Sequence, residues 1–133
     1  MWLRSLTDRF RLRGLPPKDL GRRGEDLAVA ALEKRGYEIV ERNYRCRLGE
    51  IDVVARQGPE IVFLEVKTRR TAGFGEPQDA VTAAKARRLI NLGHTYIAEK
   101  GLRDPQWRID VVAVWMGDEG APRIDIIRHA VEG

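Results

Sequence analysis

The chain has 133 residues, of which 43% are hydrophobic and 33% charged, with a formal net charge of +4. This composition excludes a wholly disordered chain, and no apolar run approaches the roughly 20 residues that a membrane-spanning helix needs. A chain of this length is most simply one domain with a sizeable core. The single cysteine, Cys46, allows no internal disulfide, and residues 1–20 lack the apolar core of a secretory signal. We therefore expect a cytoplasmic protein without a membrane partner.

The N-terminal residues, 1–19, are predicted to be a basic extension of a domain that covers residues 20–133. Residues 1–23 contain seven Lys or Arg and two Asp, a balance of +5, so the other 110 residues sum to −1. Pro16 and Pro17 are predicted to interrupt regular secondary structure at this boundary. The extension is either a basic arm that binds phosphates or a membrane surface, or a short helix that packs on the domain.

A helix is predicted from about Leu20 to Arg35, ending at Gly36, which favours a left-handed helix cap. Glu25 shares the helical spacing of Ala28 and Leu32, so its carboxylate is expected on or beside the apolar face. An acid near a helix start can simply complement the helix dipole. The alternative is that Glu25 belongs to a functional site.

Three strands of a meander are predicted next, at Tyr37–Arg45, Glu50–Gln57 and Ile61–Thr68. The turn at Gly58 and Pro59 joins the second and third strands as a two-residue hairpin. Alternation along the hairpin predicts one core-facing side and an opposite side that carries Asp52 and Glu65. The predicted core-facing residues are Ile51, Val53, Val62, Leu64 and Val66.

The turn also predicts the hairpin register, in which the opposed pairs are Gln57 and Glu60, Asp52 and Glu65, and Glu50 and Lys67. Directly opposed strand residues have Cβ atoms about 4.5 to 5.5 Å apart, and like charges there destabilise the sheet unless they are neutralised. The facing carboxylates of Asp52 and Glu65 therefore predict a bound cation. The alternative is a cross-strand salt bridge between Glu50 and Lys67, with the two acids pointing into solvent.

The chemistry that this arrangement favours is hydrolysis of phosphodiesters. Asp52, Glu65 and the backbone carbonyl of Val66 would supply hard oxygen ligands for Mg²⁺ or Mn²⁺. Such an ion lowers the pKa of a bound water and neutralises charge on phosphate, and Lys67 could orient the water or stabilise negative charge. Glu25 could hold a metal-bound water or part of a second ion.

After a loop marked by Gly73, Gly75 and Pro77, Thr82 is predicted to cap a second helix that runs to about Lys100 and stops at Gly101. Its predicted buried residues are Ala86, Leu89, Ile90, Gly93 and Ile97. Two more strands are predicted at Trp107–Trp115 and Arg123–His129, separated by a turn at residues 117–120.

The pentapeptide Ile-Asp-Val-Val-Ala occurs twice, at residues 51–55 and 109–113. The flanking sequences differ and nothing recurs over a unit of 20 to 50 residues, so we interpret the second copy as a chance similarity of two strands and not as an internal repeat. The second copy makes Asp110 a rival to Asp52 as the functional acid.

Three basic clusters are candidates for phosphate contacts, although each could also be a solvated surface. They are Arg42, Arg45 and Arg47; Lys67, Arg69 and Arg70; and Lys85, Arg87 and Arg88. The predicted nucleic-acid-binding residues are Arg42, Arg45, Arg69, Lys85 and Arg88.

Six segments together form a recognisable pattern: Gly24–Ala28, Arg42–Arg45, Gly49–Asp52, Phe63–Arg69, Ala80–Thr82 with Lys85, and Arg108–Val112. The pattern covers about residues 20–130 and resembles the YraN-like bacterial proteins, an uncharacterised family with the restriction-endonuclease-like fold. The resemblance implies an α/β protein with a mixed sheet flanked by helices, in the order αβββαβ plus a final strand, as in Holliday-junction resolvases. It also implies that Asp52, Glu65 and Lys67 occupy the active-site positions of PD-(D/E)xK nucleases, with Glu25 as the helix acid.

The sequence therefore predicts a Mg²⁺- or Mn²⁺-dependent endonuclease that acts on DNA, with branched or processed DNA as candidate substrates. One alternative is a nucleic-acid-binding protein that does not cleave, whose affinity would come from counterion release. Another is an interaction or assembly factor whose acidic residues are structural. Symmetric cutting would favour a homodimer, but no interface is predicted.

Overall fold

The computed structural model describes residues 17–70, 82–117 and 122–131. The predictions for residues 1–16, for the loop at residues 73–77 and for most of the turn at 117–120 lie outside these ranges. Within the described ranges, no helix is long and apolar enough to cross a membrane.

The described elements are α1 (Pro17–Lys34), β1 (Glu38–Cys46), β2 (Gly49–Gln57), β3 (Glu60–Arg69), α2 (Ala83–Glu99), β4 (Trp107–Trp115) and β5 (Arg123–Val131). The five strands form one sheet in the order β1-β2-β3-β4-β5. Strands β3 and β4 are parallel, and the other neighbours are antiparallel. Helix α2 makes the crossover that a parallel pair requires. The predicted α/β class, with a mixed sheet and two helices in a restriction-endonuclease-like order, is confirmed.

The helix ends follow the capping signals closely, except at the first residue of α1. Helix α1 begins at Pro17, three residues before the predicted start, because proline suits the first position of a helix, where its missing N–H is not needed. It ends before Gly36, which has a φ of 87°. Thr82 caps α2 as predicted, with its Oγ1 accepting a hydrogen bond of 3.1 Å from the backbone N–H of Lys85.

The sheet is buried on both faces, whereas the sequence predicted one core-facing side. The cluster on the α1 side includes Ala28, Leu32, Val53, Ala55, Val62, Leu64, Val112 and Val114. The cluster on the α2 side includes Tyr44, Ile51, Val54, Ile61, Phe63, Leu92, Tyr96 and Ile109. The prediction that Ile51 shares the side of Val53 was therefore wrong. The central strands are buried by a helix on each face, as is usual where helices cover a sheet that contains a parallel pair.

The buried side of α2 is rotated relative to the prediction. Leu92 and Tyr96 are buried, together with the predicted Leu89 and Gly93, whereas Ala86 is only half-buried. The Tyr96 ring makes an edge-on contact with Tyr44, at 5.0 Å between ring centroids. Aromatic pairs of this geometry add to the stabilisation from burial alone. The aromatic contacts therefore favour the observed rotation of α2.

The β2–β3 hairpin has the predicted register over five pairs, from Gln57 opposite Glu60 to Val53 opposite Leu64. Past Val53, β2 stays paired with β1, where Glu50 lies opposite Arg45. Strand β3 stays paired with β4 on its other side, as far as Arg69. The paired part of the hairpin therefore ends next to Asp52, and the predicted opposed pairs Asp52–Glu65 and Glu50–Lys67 are not formed.

Candidate functional site

Asp52 connects β2 to β3 through its side chain at the point where the paired residues of the hairpin end. Its Oδ2 accepts a hydrogen bond of 2.8 Å from the backbone N–H of Val66. Glu50 forms an ion pair with Arg45, at 3.7 Å, and not the cross-strand bridge with Lys67 that was the alternative to a cation site. The Asp52 carboxylate thus reaches the segment that carries the other predicted site residues.

Glu65 is held by two lysines from different elements. Its Oε1 lies 2.6 Å from Nζ of Lys85, on the first turn of α2, and 3.6 Å from Nζ of Lys67, two residues along β3. The side chains of Glu65 and Lys85 are 15% and 16% exposed. The other oxygen of Glu65, Oε2, is buried and has no hydrogen-bond partner. A buried oxygen without a partner is costly, so a ligand there would be stabilised.

The electrostatic surroundings of Asp52 favour a positive partner. Burial raises the pKa of Asp52 to about 6; the hydrogen bond from Val66 opposes the shift, and the nearby charges of Glu65, Glu25 and Glu50 add to it. Asp52 makes no ion pair with a lysine or arginine of the described residues. A half-buried carboxylate among other acids is stabilised in its charged form by a cation.

Lys67 contacts Glu65 on one side and a cavity on the other. Burial lowers the pKa of Lys67, as does the adjacent Lys85, while Glu65 acts in the opposite direction. Lys67 also lines an open cavity of about 610 Å³. The residues that line this cavity include Glu25, Asn43, Arg45, Glu50, Asp52, Val66, Lys67, Thr68 and Arg69. Glu65 and Lys85 are not among the residues that line this cavity, and Glu65 reaches it through its contact with Lys67.

The predicted helix acid, Glu25, borders the same cavity and is fixed by strand β1. Its Oε1 accepts hydrogen bonds from Arg42 Nε, at 3.0 Å, and from Asn43 Nδ2, at 3.1 Å. Asn43 has a φ of 56°, a left-handed conformation that asparagine tolerates better than most residues. Arg42 also binds Asp26 at 2.6 Å. The guanidinium that was predicted to contact phosphate is thus engaged with two carboxylates of α1.

A glycine allows α1 to lie close enough to the site. A Cβ atom on Gly24 would overlap Thr68 Oγ1 and approach its Cγ2 to 2.7 Å. Only a residue without a side chain permits this contact between α1 and the end of β3. The close packing places Glu25, the next residue, at the cavity.

The exposed cations near the site are the remaining predicted phosphate contacts. Arg69 is exposed and lines the cavity. Arg45 is 77% exposed beside Glu50. Arg88, on α2, is exposed and lies near Gly49, the first residue of β2. These three arginines are open to a polyanion, although their role in binding stays a prediction.

The residues present fit a divalent cation that is bound by two carboxylates and completes its coordination with water and substrate phosphate. In the described parts of the chain, no group of three or more His, Cys, Asp or Glu side chains could hold a metal by itself. Two carboxylates, Asp52 and Glu65, remain, and a cation would give a partner to Oε2 of Glu65 and would lower the pKa of Asp52, which burial raises. Magnesium is commonly bound by one or two carboxylates plus waters and substrate phosphate.

Of the four residues predicted as catalytic, Asp52, Lys67 and Glu25 line one cavity, and Glu65 contacts Lys67 at 3.6 Å. The sequence did not predict the roles of Asn43 and Gly24, although an asparagine after an arginine and a glycine before the helix acid belong to the pattern noted above. Nor did it predict that Lys85 would bind Glu65, because that ion pair depends on how α2 packs.

Comparison with known proteins gives the family. A sequence model of the uncharacterised protein family UPF0102 matches residues 24–114. The chain belongs to this family. It is 51% identical over 115 residues to a UPF0102 protein of Geobacter sulfurreducens, an alignment that covers 86% of this chain and 90% of the relative.

Two other UPF0102 proteins match to a similar extent. The protein of Moorella thermoacetica is 49% identical over 111 residues, which cover 83% of this chain and 92% of the relative. That of an Arthrobacter species is 48% identical over 109 residues, with 82% and 92% covered. The predicted membership of the YraN-like family is therefore confirmed. The matched segment includes every residue of the site, from Gly24 to Lys85.

Proposed function

We propose that this UPF0102 protein is a Mg²⁺- or Mn²⁺-dependent endonuclease that hydrolyses phosphodiester bonds in DNA. The observation that carries the proposal is the convergence of Asp52, Glu65 and Lys67 where the paired β2–β3 register ends. Lys67 Nζ lies 3.6 Å from Glu65 and lines the same cavity as Asp52. Asp52 and Lys67 beside an open cavity, with Glu65 in contact with Lys67, suit the neutralisation and attack of a phosphodiester.

In this proposal, Asp52 and Glu65 hold the cation, with the Val66 carbonyl as a further oxygen ligand. A bound Mg²⁺ or Mn²⁺ lowers the pKa of water and offsets negative charge on the phosphate. The partnerless Oε2 of Glu65 and the absence of an ion pair at Asp52 within the described residues support this assignment.

The other groups of the cavity have roles that follow from their positions. Lys67 donates hydrogen bonds to the phosphate or the attacking water, because its amine is the one that reaches both Glu65 and the cavity. Glu25, fixed by Arg42 and Asn43, orients water on the α1 side. In the reaction, the oxygen of one water bonds to phosphorus, one ester P–O bond breaks, and a water proton ends on the leaving sugar oxygen.

Binding of the DNA backbone is assigned to the exposed arginines. Arg45 and Arg69 border the cavity, and Arg88 lies near Gly49 at the start of β2. Arginine pairs well with phosphate oxygens because its planar guanidinium offers several donors in a fixed geometry. The cavity is open, which allows a substrate larger than a small molecule, such as branched or processed DNA.

The proposal is tested by cleavage of linear and branched DNA with EDTA, Mg²⁺ or Mn²⁺. We expect cation-dependent cleavage in the parent, and a loss of at least about 100-fold in Asp52→Asn and in Lys67→Ala, since each removes a group that contacts the cation or the phosphate. The matched controls are Asp125→Asn and Lys100→Ala. Both remove a charge from a surface ion pair away from the cavity and should leave the rate within about twofold.

The same experiment separates the alternatives. DNA binding with a steep salt dependence but without cation-dependent cleavage would favour a binding protein over a nuclease. Equal cleavage by the parent and both site variants would contradict the assigned residues. Absence of both binding and cleavage would favour an interaction or assembly role.

A further inference from the structure

Among the described residues, Lys85 has an ion pair with Glu65 and with no other acid. It lies in the first turn of α2, which contains no acidic residue. The positive end of the helix dipole disfavours a cation in this turn. Lys85 is nevertheless mostly buried, and its ammonium lies 2.6 Å from Glu65 Oε1, closer than that of Lys67. Its burial therefore depends on the carboxylate.

Glu65 thus lies within ion-pair distance of two ammonium groups, those of Lys67 and Lys85, although one positive charge would neutralise its carboxylate. Both approach the same oxygen, Oε1, while Oε2 stays buried without a hydrogen-bond partner. A divalent cation at Glu65 would lie close to both lysines, and like charges this near repel even where the effective dielectric constant is high. Cation binding and the present position of Lys85 consequently oppose each other.

Of the two lysines, Lys85 is the one whose amine can move away from Glu65. Lys67 belongs to a strand paired with β4 and already lines the cavity, so its amine has room there. Lys85 lies at the start of a helix, on a long flexible side chain, and moving its amine away from Glu65 requires only rotation about side-chain bonds. Near it, the exposed Arg88 is open to the same polyanion.

We propose that Lys85 is the resident counter-ion of Glu65 and competes with the divalent cation for this carboxylate, so that cation binding releases the ammonium toward substrate phosphate. The inference rests on the proposed nuclease function and deepens it. Before the cation binds, Lys85 keeps Glu65 neutralised. Afterwards the released charge favours a polyanion, which makes cation and substrate bind together.

The test measures Mn²⁺ affinity in the absence of DNA, by isothermal titration calorimetry. We expect Lys85→Met to bind Mn²⁺ about tenfold or more tightly than the parent, because the competing charge is gone. The metal-free variant should also melt lower, by about 3 °C or more, since Glu65 loses its closest partner. Lys85→Arg keeps the charge and should stay within about threefold of the parent affinity.

A matched control is available on the same helix. Lys100, at the other end of α2, forms an ion pair of 3.5 Å with Glu41. Lys100→Met removes the same charge from a carboxylate outside the site and should leave Mn²⁺ affinity within about twofold.

The outcomes distinguish this inference from the proposed function. If Lys85→Met binds Mn²⁺ as the parent does or more weakly, while Asp52→Asn loses the ion, Lys85 is not a competitor and the cation site still stands. If neither the parent nor Lys85→Met binds Mn²⁺, both proposals fail.

Should Lys85→Met not fold, NMR of ¹³Cε-labelled lysines in the parent replaces it. Addition of Mg²⁺ should then shift the Lys85 signal and leave that of Lys100 in place. An unmoved Lys85 signal, with Mg²⁺ bound, would overturn the competition.

Discussion

Two copies of the string Ile-Asp-Val-Val-Ala lie on either side of β3, one in β2 and one in β4, and give their aspartates different partners. Both aspartates accept a hydrogen bond from the backbone of the next strand. Asp52 accepts from Val66 N–H at 2.8 Å, and Asp110 from His129 N–H at 2.9 Å. In both places the carboxylate therefore helps to connect neighbouring strands.

The difference lies in the counter-ion. Asp110 is 0% exposed and is paired with Arg108, whose Nε lies 3.1 Å from Oδ1. Tyr37 also donates to Asp110, and Arg108 continues to Glu60 at 2.8 Å. The guanidinium of Arg108 thus supplies the positive charge that neutralises Asp110 within the protein.

Asp52 has no such partner among the described residues, and the residue two positions earlier explains why. Side chains at i and i+2 of a strand share a face. That position is Arg108 before Asp110 but Glu50 before Asp52. One string thus forms a self-neutralised structural cluster in β4 and, in β2, a carboxylate without an ion-pair partner among the described residues, and one flanking charge distinguishes the two.

Removal of the Arg108 charge is expected to have the largest effect on stability. Arg108→Met leaves Asp110 buried without its counter-ion and should lower the free energy of unfolding by about 3 to 5 kcal/mol. Urea unfolding monitored by circular dichroism measures it. Lys100→Met, which breaks an exposed pair, should cost less than about 1 kcal/mol. A loss of the same small size in Arg108→Met would show that Asp110 does not depend on its guanidinium.

The second effect concerns the pH dependence of the metal-free protein. The pKa of Asp52 is raised to about 6 from an ordinary value of 3.8, so the folded state binds this proton more tightly than the unfolded state. The contribution of Asp52 to stability is therefore fully present below pH 3.8 and is lost as the pH rises through about 6. The loss is at most about 3 kcal/mol.

Unfolding in urea and EDTA between pH 4.5 and 7.5 tests this direction. Asp52→Asn cannot titrate, so its stability relative to the parent should grow across that interval and level off above it. Asp125→Asn, in an exposed pair with Arg123, should keep a constant difference from the parent. An Asp52→Asn difference that is flat with pH would contradict the raised pKa.

A third prediction alters the distance between α1 and the site. Gly24→Ala places a methyl group against Thr68 and should cost about 1 to 3 kcal/mol, because tightly packed contacts relax only partly. Thr68→Ala in the same chain should recover much of this loss. Gly21→Ala, on the same helix, has nothing within 4 Å of the added atom and serves as the control. Equal stability of the two alanine variants would contradict the close contact.

The smallest effect expected is that of Glu25 on Asp52. Glu25→Gln removes one of the negative charges that raise the pKa of Asp52, so this pKa should fall by a few tenths of a unit at low salt. Carboxyl ¹³C NMR titration in EDTA measures it directly. Glu33→Gln, on an exposed part of α1, should leave the Asp52 titration unchanged. A rise of the pKa in Glu25→Gln would show that contacts other than charge dominate.

Much of the fold followed from local signals that act over a few residues. The cap at Thr82, the left-handed glycine at residue 36 and the hairpin register from Gln57 opposite Glu60 were predicted correctly, because helix caps and tight turns depend on neighbouring residues. Ile51 was assigned to the wrong side because strict alternation fails between Ile51 and Val53, where the pairing of β2 with β3 ends. The rotated face of α2 was missed because it depends on contacts of Tyr96 with the sheet, which helical spacing does not specify.

For the candidate site, the sequence placed Asp52, Glu65 and Lys67 on the two strands of one hairpin, although the opposed pairs that it predicted beyond Val53 are not formed. It also contained, in Glu50 and Arg108, the charge that distinguishes the two aspartates. Only the tertiary structure decided that Lys85 binds Glu65, that Arg42 is held by α1 and that Oε2 of Glu65 is left without a partner. These contacts join residues from separate elements, and their distances depend on how helices pack against the sheet, which no local pattern specifies.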